Sequence, residues 1–329
     1  MTARVDTLRV TYDRVLVTGG LGFIGSHTVD ALLRAETQTW VLDDQSTGSN
    51  SNLALHKHDR NLHIVRGSIC KSETIDKIAK KTEAIIHLAA VVSPFMSVQR
   101  PDITNNVNVS GTLNVLRSAV KHDIDRVVLA SSSSVYGDLA HRGRIPESSQ
   151  TNPISPYGAS KLATEKYGRA FSSTYDISPI SLRYFNVYGE RQKNNPYSGV
   201  IAIFVGNLLR NKKNIVFGDG EQTRDFTNVS DVARANLSAM EFRKGGAHEI
   251  NIGTGIPTSI NKLYAHIVAI MKIKAHKPIN KPARRGDIRD SCASIALAKS
   301  ILKFEPKAEL DFGLTRLIRW LESSRDQIS

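Results

Sequence analysis

Short β-branched runs alternate with amphipathic stretches along most of this chain. The runs "RVLVT" (14–18), "TWVLD" (39–43), "LHIVRG" (62–67), "AIIHLA" (84–89) and "RVVLASS" (126–132) read as strands, followed by "PISLRYF" (179–185) and "HEINIG" (248–253). They are near-continuously apolar rather than alternating, the pattern of parallel strands covered on both faces. Between them the spacing predicts helices over 24–34, 72–80, 109–121 and 157–175. Strands and helices in alternation mean a doubly wound α/β fold with a parallel sheet. After Asn186 the pattern loosens into loops rich in Asn, Gly and Pro, with helices predicted over 201–211, 260–272, 295–302 and 314–322. The expected division is a first domain over 1–185 and a smaller, partly interleaved one over 186–329, the strand near 248–253 returning to the first sheet.

Composition narrows the class. The 329 residues are 40% hydrophobic and 23% charged, which suits a soluble globular protein with a sizeable core. Cys70 and Cys292 form neither a disulfide framework nor a metal-type spacing, so a reducing compartment is expected. The longest apolar runs, 84–92 and 200–209, are too short to span a bilayer, and the N-terminus lacks a signal peptide's apolar core. A cytoplasmic protein without a membrane partner is the expectation. The formal charge is +13, but the 44 Lys and Arg are scattered among 31 acids and aromatics make up only 6%. Nucleic acid is therefore not expected, and an anionic small substrate or a basic solvated surface accounts for the charge.

Two stretches carry chemistry. "TGGLGFIGSH" (18–27) follows the first strand and opens a helix, with Gly19, Gly22 and Gly25 three residues apart. Glycines there allow a tight turn and close approach of backbone amides to a pyrophosphate, while the helix N-terminus supplies a favourable dipole. Asp43 ends the next strand, where an acid accepts hydrogen bonds from an adenosine ribose and repels a 2′-phosphate, favouring NAD over NADP. In "SPYGASK" (155–161), Pro156 opens a helix that puts Tyr157 and Lys161 on one face, a turn apart. An ammonium there is expected to lower the proton affinity of the phenol.

With "HLAA" (87–90), "NVSGTLN" (108–114), "SSSSVYG" (131–137), "RYFNVYG" (183–189), "GDGEQTRDF" (218–226) and "RRGD" (284–287), these motifs resemble the extended short-chain dehydrogenase/reductase superfamily. The resemblance is specifically to its UDP-glucose 4-epimerase-like nucleotide-sugar epimerases, and it runs from Arg14 over nearly the whole chain. It implies a Rossmann sheet, bound NAD, a UDP-sugar substrate and a homodimer paired through the helices at 109–121 and 157–175. The catalytic residues it implies are Ser132, Tyr157 and Lys161. Besides Tyr157 and Lys161, the cofactor positions are Gly19, Gly22, Phe23, Ile24, Gly25, Asp43, Ser68, Ile69, Leu88, Ala89 and Phe185. Ser68 departs from the family, which usually has an acid there. Substrate positions are Ser132, Ser133, Asn186, Arg224, Arg284 and Ser291, the two arginines matching those that clamp the diphosphate.

The activity implied is NAD-dependent 4-epimerisation of UDP-hexoses through a transient 4-keto sugar. Tyr157 takes the 4-hydroxyl proton while hydride leaves C4, and the keto sugar then swings about its pyrophosphate and accepts hydride on its other face. Family 4,6-dehydratases carry an Asp-Glu pair, and decarboxylases a glutamate, where this chain has Ser133 and Ser134, which counts against both. Ser291 stands where members restricted to plain hexoses tend to have tyrosine, so UDP-N-acetylhexosamines are expected as further substrates. A UDP-glucuronate epimerase stays open, with Ser133, Ser134 or Arg191 meeting the C6 carboxylate. A dinucleotide-binding protein without catalysis is the remaining reading.

Overall fold

The structure is a computed structural model that describes residues 10–138, 143–192, 199–274, 276–283 and 288–325. Its first part runs β1 (Arg14–Thr18), α1 (Phe23–Arg34), β2 (Gln38–Asp43), β3 (Leu62–Arg66), α2 (Ser72–Ala79), β4 (Ala84–His87), α3 (Pro94–Gln99), α4 (Pro101–Asn105), α5 (Gly111–Lys121), β5 (Arg126–Ser132), α6 (Pro156–Thr174) and β6 (Ser178–Tyr184). The remainder adds β7 (Val187–Tyr188), α7 (Val200–Leu209), β8 (Ile215–Phe217), β9 (Thr223–Asp225), β10 (Thr227–Asn228), α8 (Val229–Glu241), β11 (His248–Ile252), β12 (Pro257–Ser259), α9 (Ile260–Met271), β13 (Ile279–Lys281), β14 (Asp290–Ser291), α10 (Ala296–Leu302) and α11 (Leu310–Arg325).

Seven of these strands form one parallel sheet in the order β11-β6-β5-β4-β1-β2-β3. Successive strand residues feed opposite faces, as the pleat requires. Val15 and Val17 join the core under α1, α8 and α10, while Leu16 joins the core under α2 and α5. The strand order reverses between β1 and β4, and the crevice at the carboxyl ends there is where such sheets bind ligands. A third core, between α7, α9 and α11, supports the second part of the chain. Among the described residues no helix is long and apolar enough to cross a membrane.

The expected strands are present to within two residues at either end. Besides α3, α4 and the short strands of the second part, two further features had no counterpart in the sequence pattern. Helix α8 packs beside α1 on the sheet, yet its buried side includes Asp231 and Asn236, which blur an apolar stripe. Asn236 accepts from the Tyr184 hydroxyl (2.6 Å) and donates to Thr28 Oγ1 (2.9 Å), so its burial is satisfied. The helix expected from 109 instead begins at Gly111, after a π-helical turn over Asn106–Ser110.

Among the described residues, one ion pair is fully buried, and it ties a helix to the sheet. Arg183 on β6 grips Glu165 on α6 with both arms of its guanidinium, at 2.9 and 2.7 Å, and the two side chains are 5% and 1% exposed. Ser131 donates to the same carboxylate at 2.5 Å, and Arg183 also donates to the Tyr136 hydroxyl at 2.9 Å. That hydroxyl in turn donates to Asn251 on β11 at 2.7 Å. Burial works against the guanidinium, but Glu165 holds its pKa above the ordinary arginine value. Removing one partner strands a charge, which typically costs about 3–5 kcal/mol. Arg183→Met is therefore expected to lose about that much in chemical denaturation, and Arg183→Met combined with Glu165→Met to lose clearly less than the two single variants summed.

Candidate active site

Glycine geometry shapes the turn between β1 and α1. Gly19 has φ +69°, and a Cβ there would come within 2.7 Å of the Ala89 nitrogen, where the end of β4 crosses the turn. A Cβ on Gly25 would stand 2.0 Å from the Gly19 carbonyl oxygen. Only glycine lets helix and turn close this tightly. Helix α1 begins after Gly22, which has no side chain to cap it, and among the described residues no group accepts from the N–H groups of Phe23, Ile24 and Gly25. The turn is thus an anion cradle of the kind a dinucleotide pyrophosphate fills. Asp43 closes it from β2, accepting from Leu21 N–H at 3.0 Å and Gln45 N–H at 2.7 Å. Leu88 and Ala89 line up beside it through bonds to Thr18, and Ile69 is buried against α5. Ser68 spends its hydroxyl on the Cys70 N–H (3.3 Å). The residues present fit NAD.

Along the crevice, Ser155 caps α6 by accepting from Gly158 N–H at 3.1 Å, and Pro156 takes the first helical position. Tyr157 and Lys161 follow on the buried face, as their spacing predicts, at 8% and 5% exposure. A Cβ on Gly158 would approach the Ser134 carbonyl oxygen to 2.6 Å, so this glycine sets how closely α6 meets the turn after β5. Ser132 ends β5 near the Tyr157 phenol, whose pKa it pulls down, and donates its own hydroxyl to Ser134 Oγ at 3.1 Å. Its oxygen also accepts from Ser134 N–H at 3.1 Å, which places Ser133 and Ser134 in the same turn.

The electrostatics differ from expectation. Lys161 Nζ donates to the Ala130 carbonyl at 2.8 Å, and burial lowers its pKa to about 8. The Tyr157 pKa is raised by burial, with Ser132 pulling the other way. In the protein alone desolvation dominates, and the phenol keeps its proton.

Two supporting groups lie in motifs quoted above but were given no role there. Asn108, 1% exposed in the π-helical turn, accepts from Val91 N–H (2.8 Å) and donates to the Val91 carbonyl (3.0 Å) and Ser160 Oγ (2.9 Å). It ties the strand-end loop to α6; π turns often mark such sites. His87 lies between two hydroxyls, with Nδ1 2.6 Å from Thr18 Oγ1 and Nε2 3.0 Å from Thr112 Oγ1. Thr112 already donates to the Asn108 carbonyl, so it accepts from His87 Nε2–H, and Nδ1 accepts from Thr18. Burial, with a smaller push from Lys161, lowers the pKa of His87 to about 3.

The candidate substrate positions fall on the second part. Arg224 on β9 and Ser291 on β14 are register partners, with Arg224 Nη1 donating to the Thr223 carbonyl at 2.8 Å. Asn186 is exposed just after β6, its carbonyl accepting from Thr227 N–H at 2.9 Å. Phe185, at 1% exposure, packs with Tyr136 in a small core beneath the crevice. Arg284 lies outside the described residues. Arg191 is pinned to Asp30 on α1 at 2.8 Å, which draws its guanidinium toward that helix.

Comparisons with known proteins bear on the fold and the cofactor. Residues 15–253 match the model of the NAD dependent epimerase/dehydratase family. A putative UDP-glucose 4-epimerase of Methanocaldococcus jannaschii is 38% identical over 94% of this chain and 99% of its own length. The crystal structure of Thermotoga maritima UDP-glucose 4-epimerase with UDP-glucose superposes with a TM-score of 0.89 at 37% identity, covering 95% of this chain and 99% of that one. The UDP-N-acetylglucosamine 4-epimerase of Methanobrevibacter ruminantium, in complex with UDP-N-acetylmuramic acid, gives 0.90 at 34% identity, covering 95% and 99%. A UDP-N-acetyl-α-D-glucosaminuronate decarboxylase and a dTDP-glucose 4,6-dehydratase are also similar, at 30% and 29% identity. Structural neighbours hold bound NAD.

The buried histidine gives a test of this environment. Its folded pKa of about 3 lies below the unfolded value near 6.5, so between these pH values the unfolded chain binds one more proton. Stability is expected to fall as pH drops through that window, His87 contributing a slope of up to about 1.4 kcal/mol per pH unit. Denaturation between pH 7 and 5 should show a steeper loss for the wild type than for His87→Gln, and the His87 NMR signals should not titrate in that range.

Proposed function

This chain belongs to the NAD dependent epimerase/dehydratase family, and from that premise we propose that it is a 4-epimerase of UDP-hexoses acting on UDP-glucose and UDP-galactose and on their N-acetylhexosamine counterparts. The observation that carries this reading is the turn after β5. It sets hydroxyls, Ser132 to Ser134, against the Tyr157 end of α6 and has no carboxylate at the positions where elimination or decarboxylation needs one. A site built this way moves one proton at a sugar hydroxyl and has no second acid or base for C5 or C6.

NAD, when bound, supplies reversible hydride transfer at C4. The protein's part is the proton and the grip. Tyr157 takes the 4-hydroxyl proton and returns it, with Ser132 hydrogen-bonding both phenol and sugar oxygen. Lys161, anchored on the Ala130 carbonyl, keeps a cation close to the phenolate that forms. Arg224 holds the diphosphate from β9, and Ser291, its neighbour across the strand pair, leaves room at C2 for an N-acetyl group. The exposed Phe95, Val98, Ile103 and Tyr167, on α3, α4 and α6, support pairing of two copies through this side of the sheet. The Arg191–Asp30 pair weighs against Arg191 as partner of a C6 carboxylate, which favours hexoses over glucuronate.

The test is NMR of the sugar C4 and anomeric protons during incubation of the purified protein with UDP-galactose, UDP-N-acetylgalactosamine and UDP-glucuronate in turn. The 4-epimers of the first two are expected; conversion of UDP-glucuronate alone, or loss of CO2 or water, would reject the proposal. Tyr157→Phe should lower turnover by at least about a hundredfold while NAD still binds. Ser291→Tyr should abolish turnover of the N-acetylated substrate and spare UDP-galactose.

A further inference from the structure

Part of the positive charge lies in two acid-free segments of the second part of the chain. Segments 210–217 and 269–283 contain no Asp or Glu, and they carry Lys212, Lys213, Lys272, Lys274, Lys277 and Lys281. Strands β8 and β13 pair in parallel and bring the two segments side by side. All six lysines are exposed, and none forms an ion pair among the described residues. The acids that follow β8 do not neutralise them, since Asp219 is taken up by Arg289 at 2.7 Å. Glu322 borders the face beside Lys272 without pairing with it.

Apolar side chains stand among these cations. Ile215 and Ile279 are register partners across the strand pair, 38% and 44% exposed, and Ile273, earlier in the second segment, is 37% exposed. Three exposed isoleucines ringed by unpaired lysines are not the surface of an ordinary solvated loop. The chemistry distinguishes two kinds of polyanion. Nucleic acid readers add aromatic planes on which bases stack, whereas every exposed large apolar residue here is aliphatic and Arg210 is the one arginine of the two segments. Lysine stems lie along an apolar boundary while their ammonium groups reach phosphates, and aliphatic side chains enter the acyl region beneath.

We propose that this face docks the protein on an anionic lipid surface, the six lysines meeting headgroup phosphates and Ile215, Ile273 and Ile279 seated at the acyl boundary. The expectation of no membrane partner was drawn from the absence of a span, and peripheral docking needs none. Each lysine near such a surface strengthens partitioning roughly fivefold, and salt screens the effect. Docking is independent of which sugar the crevice accepts.

The experiment is cosedimentation of the full chain with vesicles of phosphatidylcholine alone and of phosphatidylcholine mixed equally with phosphatidylglycerol. Binding is expected to the mixed vesicles only, and to vanish at about 0.5 M salt. The charge reversal Lys212→Glu, Lys213→Glu, Lys274→Glu and Lys277→Glu should weaken it by at least about a hundredfold. Ile215→Ser with Ile279→Ser, which leaves the charge unchanged, should weaken it severalfold. Circular dichroism checks that both variants fold, and turnover should match the wild type. Failure of the wild type to bind mixed vesicles overturns the proposal whatever the variants do. So does tighter binding to a duplex oligonucleotide at the same ionic strength, or a charge reversal that lowers kcat/KM for the nucleotide sugar and leaves vesicle binding intact.

Discussion

The geometry of the crevice depends on how helix α6 is held in register against the sheet, and the Glu165–Arg183 pair anchors it there. Tyr157, Lys161 and Glu165 recur every four residues and so lie along one side of the helix. Glu165 is fixed from two strands, by Ser131 on β5 and Arg183 on β6. One turn earlier, Lys161 bonds the Ala130 carbonyl on β5, and one turn before that Tyr157 meets Ser132 at the strand's end. A slide or rotation of the helix would break all three contacts together. A buried ion pair is a poor general source of stability, but its narrow bidentate geometry fixes position well. Here that position is the separation of the phenol and the Ser132 hydroxyl.

The same stripe explains what the sequence revealed and what it hid. Strands were legible because burial on both faces leaves them continuously β-branched and apolar, a signal that polar satisfaction does not disturb. The β1–α1 turn was legible because glycine alone meets its close contacts. Buried polar networks reverse the usual reading, since Glu165 and Asn236 look like solvent-facing helix residues until their partners on distant strands are known. Asn108 was hidden in another way: its place in a π turn shifts its direction by a residue from what helical spacing gives. The candidate triad itself was found because Tyr157 and Lys161 are local in sequence, four residues apart. Their electrostatics were not, because burial is a property of the whole fold.

That burial changes the picture of how the phenol is readied. An ammonium a turn away was expected to draw the Tyr157 pKa down, but in the protein alone desolvation wins and the pKa is raised. Lys161 meets the same cost, its pKa falling to about 8, and offsets part of it through the Ala130 carbonyl. At neutral pH the phenol thus keeps its proton while Lys161 remains mostly cationic, both in a dry cleft. Such an environment amplifies any charge that enters it, because the effective dielectric is low. Protonation of the phenol therefore depends on the charges that bind beside it.

In the second part of the chain the organising groups are again buried acids. Asp225, fully buried, accepts from the Thr254 and Gly255 N–H groups at 2.8 and 2.9 Å and from Ala293 N–H at 3.1 Å. It thereby joins β9 to the loop after β11 and to the segment after β14. Arg224 and Ser291 belong to this same small sheet, β12-β9-β14. The candidate anchor for the diphosphate and the candidate gauge of the C2 substituent are therefore fixed relative to each other by backbone bonds to one carboxylate. Because those bonds involve no side-chain atom of residue 291, the size of that side chain is free to vary while the sheet that presents it stays in place.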